Sequence, residues 1–163
     1  MAQGAGSSYP GPEPAQEPEP EPVLTDRLFF AVMPDAAAIA DIKMLAVGLK
    51  TCHGMRGRLI ADAKLHATLC FLGGYPGLPA SVIARAGQAA ALVAAATPEF
   101  DVAFDAAQSF VNRARNRPFV LTGGDGAAGL TALYDNLAQA LLKAGIGGDP
   151  RTTRRTSHCY MTT

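Results

Sequence analysis

The stretch Lys64-Leu65-His66-Ala67-Thr68-Leu69-Cys70-Phe71-Leu72-Gly73 limits the folds open to this chain more than any other. Leu65, Ala67, Leu69 and Phe71 alternate with His66, Thr68 and Cys70, and a period of two marks a strand with one buried face. Anchoring the apolar set in a core leaves His66 and Thr68 together on the other face, about 7 Å apart by strand rise. An imidazole can carry a proton near neutral pH and a hydroxyl can donate to an anionic oxygen, so the pair suits a phosphate ester. A partly buried, hydrogen-bonded histidine explains a single His-x-Thr about as well, and the surroundings must decide.

Those surroundings alternate short strands with helices. The apolar run from Leu28 to Met33 predicts a buried strand ended by Pro34, and Asp35 is placed to cap the next helix. Ile39, Ile42, Ala46 and Leu49 recur at helical spacing until His53-Gly54 stops the helix. His53 reads as a surface cap. Pro79 suits the first turn of a second helix whose inner face is Val82, Ile83, Ala86 and Val93, closed by Thr97-Pro98. Phe100, Val102 and Phe104 alternate with polar or small residues, which predicts a half-exposed strand, and Phe110-Val111 could extend the pairing. Phe119-Val120-Leu121-Thr122 predicts another strand. Leu130, Leu133, Tyr134, Leu137 and Leu141 mark a third helix, with Gly145 as a left-handed cap.

The order Arg27-Leu28-Phe29-Phe30-Ala31-Val32, Pro34, a helix, Gly57-Arg58-Leu59-Ile60, Lys64-Leu65-His66-Ala67-Thr68-Leu69 and Phe71-Leu72-Gly73 resembles the two-histidine (2H) phosphoesterase superfamily. Within it, the likeness is to the RNA 2′,3′-cyclic phosphodiesterases, also called 2′-5′ RNA ligases, over about Asp26 to Gly148. The resemblance implies an α+β fold of two lobes, antiparallel sheets with helices packed outside. It also implies a metal-free reaction with no cofactor, in which His66 acts as acid or base and Thr68 holds a non-bridging oxygen. A terminal 2′,3′-cyclic phosphate would open to a 2′-phosphate. Its partners would be RNA 3′ ends or small cyclic nucleotides, the protein a cytoplasmic monomer.

Members of that family carry a second His-x-Thr after the third helix. Here the corresponding place reads Thr156-Ser157-His158-Cys159-Tyr160-Met161, so Tyr160 and not Thr or Ser follows His158, the motif is broken, and the second lobe is expected to be incomplete. His158 could substitute only if a strand slip set it across from His66. Impaired activity is the expectation, and a non-catalytic RNA-end or nucleotide binder is the alternative. The incomplete lobe would also leave the third helix's leucines and the Phe119 strand partly uncovered, with an open sheet edge and low stability.

One explanation lies in the gene. Arg154 to Thr162 can be encoded c cgc cgc aca tca cac tgc tat atg ac. Regrouped one base earlier, the same letters read Pro-Pro-His-Ile-Thr-Leu-Leu-Tyr-Asp. This frameshift is a hypothesis resting on chosen synonymous codons, and sequencing the coding DNA decides it: if no nearby one-base change restores the His-x-Thr strand, the idea is dead.

The remaining features bound the reading. Residues 1–24 are rich in Pro, Glu, Gly and Ser and have almost nothing to bury, so a disordered tail is expected before a single domain over 25–163. The formal net charge of zero conceals Glu13, Glu17, Glu19 and Glu21 in that tail, which leaves the remainder mildly basic. No apolar run approaches a membrane span. Cys52, Cys70 and Cys159 are odd in number and scattered, against a disulfide framework or a zinc site. Cys70 reads as a small hydrophobe, with a place at a pocket edge as the other option. Arg113, Arg115 and Arg117 read as a solvated turn or as a guanidinium cluster that meets nucleic-acid phosphates.

Overall fold

The computed structural model describes residues 23–109 and 119–147, together with the backbone of 158–161. The expected tail lies outside the described residues apart from Val23 and Leu24, which are exposed.

Strand β1 (Asp26–Val32) runs into helix α1 (Ala36–Cys52), followed by a 3₁₀ turn (Asp62–Lys64) and strand β2 (Ala67–Tyr75). Helix α2 (Ala80–Ala96), strands β3 (Ala106–Ser109) and β4 (Phe119–Thr122), a 3₁₀ turn (Asp125–Ala127), helix α3 (Ala128–Lys143) and strand β5 (His158–Met161) complete the order. β1 and β2 form one antiparallel sheet, and β3-β4-β5 form a second with β4 in the centre.

Local chemistry sets the helix ends. The Asp35 carboxylate accepts the Ala38 N–H at 2.8 Å, which satisfies one of the orphan donors of α1. His53 caps the other end of that helix, and Gly54 turns the chain at φ +60°. At the end of α3 the Ile146 N–H reaches the Leu141 carbonyl and the Gly145 N–H the Leu142 carbonyl, with Gly145 at φ +68°. This is the Schellman arrangement, and Ile146 and Leu141 lie in the same core cluster, as that motif favours.

The main core joins Leu69 and Cys70 of β2 to Ala86 and Ala89 of α2 and to Tyr134, Leu137 and Leu141 of α3. A second cluster pairs Leu65 with Leu121 of β4, rimmed by Ile39, Ile42 and Ala46 of α1 and by Ile60 and Phe104. Each fully buried leucine contributes about 1.5–3 kcal/mol of transfer free energy. No residue of α1 is fully buried, so that helix is the most lightly held of the three.

Three expectations need correction. Ile83 points outward at 44% exposure, while Val82, Ala86 and Val93 face the core as expected and Ala89 joins them, small side chains letting α2 and α3 approach closely. Residues 99–105 form no strand. Phe100 is turned onto Gly129 of α3 and Phe104 into the α1 cluster, and single bonds from Ala103 N–H to the Gly126 carbonyl and from Asp105 N–H to the Thr122 carbonyl replace a ladder. The second lobe is incomplete, three short strands with α3 among the described residues, yet the leucines of α3 and the Phe119 strand are not left uncovered as expected. Leu137 and Leu141 are 3% and 4% exposed, Val120 and Leu121 are both buried, and β5 closes one side of β4.

Candidate active site

His66 lies at the entry to β2, between Leu65 and Ala67, whose burial on the core side turns the imidazole the other way. Its Nδ1 is 2.7 Å from the Lys64 carbonyl oxygen. A carbonyl can only accept, so Nδ1 carries the hydrogen and the lone pair of the neutral ring resides on Nε2. The Phe29 ring lies against the imidazole, centroids 5.4 Å apart and tilted by 32°, and fixes it from a second direction. Thr68 is half-buried and pairs with Ala31, so its hydroxyl shares the face of His66.

Beyond Thr68 the alternation breaks. The pairing passes from Ala31↔Thr68 to Phe29↔Phe71, so two steps on β1 answer three on β2. This bulge puts Leu69 and Cys70 into the core in succession. Phe71, expected in the core with Leu69, is delivered instead to the face of Thr68. Arg27 lies over it, Cζ 5.1 Å from the ring centroid. On β1 the alternation holds: Phe30 and Val32 pack on the core, and Arg27, Phe29 and Ala31 line the outer face. The result is a strip of Arg27, Phe71, Phe29, Thr68 and His66.

Cys70 does not border that strip. Burial pushes its thiol up from 9.0 to about 11, so it stays protonated at neutral pH and acts as a small hydrophobe. His158 begins β5 opposite Thr122, and the backbone of β5 comes beside β2. Arg113, Arg115 and Arg117 lie outside the described residues. Neither Arg27 nor Phe29 stood out as a site residue in the sequence, because a run reading Leu-Phe-Phe-Ala-Val suggests burial on both faces. Arg27, charged and in step with Phe29, was the available sign that one face is open.

A separate cleft of about 730 Å³ is lined by Val32, Thr97, Glu99, Phe100, Asp101 and Leu133. It opens on the core side of β1, and its two carboxylates disfavour a phosphate. Among the described residues, no three His, Cys, Asp or Glu side chains are grouped to hold a metal ion, and no helix is long and apolar enough to cross a membrane.

Two small antiparallel sheets with helices outside, and a His-x-Thr on an open strand face, define a phosphoesterase architecture of the two-histidine type. The chain belongs to the family described as LigT like phosphoesterase, which matches residues 32–120, more than half of its length. The fold is similar to the crystal structure of E. coli LigT in apo form, with a TM-score of 0.56 and 25% identity over 86% of this chain and 73% of that one. It is similar to E. coli LigT complexed with 3′-AMP, with a TM-score of 0.53 and 26% identity over 83% and 71%. For E. coli LigT complexed with NADP+ the TM-score is 0.51, with 26% identity over 83% and 70%. No curated protein sequence matches the chain.

Proposed function

We propose that this protein is an RNA 2′,3′-cyclic phosphodiesterase, impaired by its altered second motif. The observation that carries the reading is the pairing of His66, its tautomer set by the Lys64 carbonyl, with the Thr68 hydroxyl on one face. In the reaction, water attacks the cyclic phosphorus in line and gives its proton to an imidazole. The P–O bond to the ribose 3′ oxygen breaks, a second acid protonates that oxygen, and a 2′-phosphate remains. Nε2 of His66 serves as one acid or base, and Thr68 donates to a non-bridging oxygen as charge builds there. His158, on a strand beside β2, is the candidate for the other, with Tyr160 where the family's pattern has Thr. Loss of one well-placed acid or base costs roughly 10²- to 10⁴-fold, so turnover is slow.

The ligand class follows the same site. E. coli LigT has been crystallised with 3′-AMP and with NADP+, which supports nucleotides carrying a ribose phosphate, whether an RNA 3′ end or a small cyclic nucleotide. The working unit is a single domain from about residue 25 onward, acting as a cytoplasmic monomer. A second reading is favoured by the replaced second motif: a binder of RNA ends that performs no chemistry. Assays with 2′,3′-cyclic nucleotides on the parent and on His66→Ala separate them. Turnover abolished by His66→Ala supports the enzyme; ligand binding with no turnover in either supports the binder; turnover retained in His66→Ala refutes the assigned site.

A further inference from the structure

We propose that Arg27 takes a second phosphoryl group of the substrate, along the same strand face from the one held by His66 and Thr68. This rests on the reading of that face as a nucleotide site. The alternation of β1 sets Arg27 in step with Phe29, whose ring touches His66, and Arg27 is exposed. Its guanidinium lies over Phe71, a cation–π contact that steadies the group, and the exposure of Arg27 leaves N–H donors accessible to an anion.

Phe71 follows Thr68 by three residues, which at strand rise is roughly 10 Å before the shortening by the bulge. A nucleotide unit can span that separation. The ion pair found among the described residues joins Lys43 to Asp62, so no described carboxylate neutralises Arg27. The neighbouring Asp26 alternates to the other face, where its carboxylate accepts from Thr25 at 2.7 Å. The bulge itself supports the idea, because it delivers Phe71 to this face as a support for the guanidinium instead of burying it.

The second phosphoryl group could be the 5′-phosphate of a single nucleotide or the internucleotide phosphate of an RNA end. Calorimetry on the full chain compares adenosine 3′-phosphate, adenosine 3′,5′-bisphosphate and a diadenosine 3′-phosphate. For the parent, the second phosphate is expected to tighten binding about three- to tenfold, the range of an exposed charge-assisted contact. That ratio should fall to about one in Arg27→Gln. The log–log salt slope should also lose about one phosphate contact. Phe71→Leu, which keeps the charge and removes the ring, should lose part of the ratio. A gain from the bisphosphate assigns Arg27 to a terminal phosphate, and a gain confined to the dinucleotide assigns it to an RNA end. A ratio that survives Arg27→Gln overturns the proposal. If adenosine 3′-phosphate binds in a His66-dependent way but the second phosphate adds nothing, only the role of Arg27 falls. Absence of His66-dependent binding removes the site reading and the Arg27 role together.

Discussion

Replacing Thr68 with valine isolates the hydroxyl from the strand that carries it. Thr68 is half-buried and faces Ala31 across the sheet, and valine keeps the β-branched shape that suits this place. Folding stability should therefore stay within about 0.5 kcal/mol, and the melting temperature within about 2 °C. The chemical step should suffer far more. A hydroxyl that donates to a phosphate oxygen as its charge grows contributes about 2–3 kcal/mol at a half-exposed site, equal to roughly 30- to 150-fold in rate. Because the interaction strengthens in the transition state, the loss belongs in kcat and not in KM. Steady-state hydrolysis of a 2′,3′-cyclic nucleotide, with a thermal melt of each variant, measures both quantities. A kcat within threefold of the parent would refute the role of Thr68. So would a loss that appears wholly as a raised KM.

Two further outcomes follow from the fold. Gly145→Ala, at φ +68°, forces a side chain into the left-handed region and should destabilise the chain by about 1 kcal/mol, read as a lower denaturant midpoint with an unchanged slope. In a Cys159→Ser background, a thiol reagent at neutral pH should label exposed Cys52 and spare buried Cys70 until the chain unfolds. The folded Cys70 thiol holds its proton to about 11 and the unfolded one to 9.0, so the stability it contributes is fully present below pH 9 and declines as pH rises toward 11. Melts of the parent and of Cys70→Ala across that window check the sign.

Much of the architecture was legible because its signals are local. Asp35, Pro34, His53-Gly54 and the leucines of α3 each act within a few residues, and the structure follows them. The His66 and Thr68 pair was legible for the same reason, since strand alternation is a neighbour rule. The bulge was not, because an extra residue on β2 is defined only by its partner on β1. Phe71 was misplaced on that account. Residues 99–105 failed differently: their alternation is real, but Phe100 and Phe104 serve two separate packing surfaces, and contacts that distant leave no mark on local periodicity. The bracing of His66 by Phe29 likewise depends on the pairing of β1 with β2.

The unequal step count between Thr68 and Phe71 also governs which genetic changes the gene can survive here. Exchanges of one small apolar residue for another at positions 69 and 70 leave the count intact and should be tolerated. Deleting one of those two codons would restore equal steps and leave Phe71 two residues after Thr68, still on its face by plain alternation, so Arg27 would keep its support while the core lost one of two consecutive side chains. The extra residue therefore adds to the core without disturbing the outer face: descendants that dropped it should lose packing before they lost the strip.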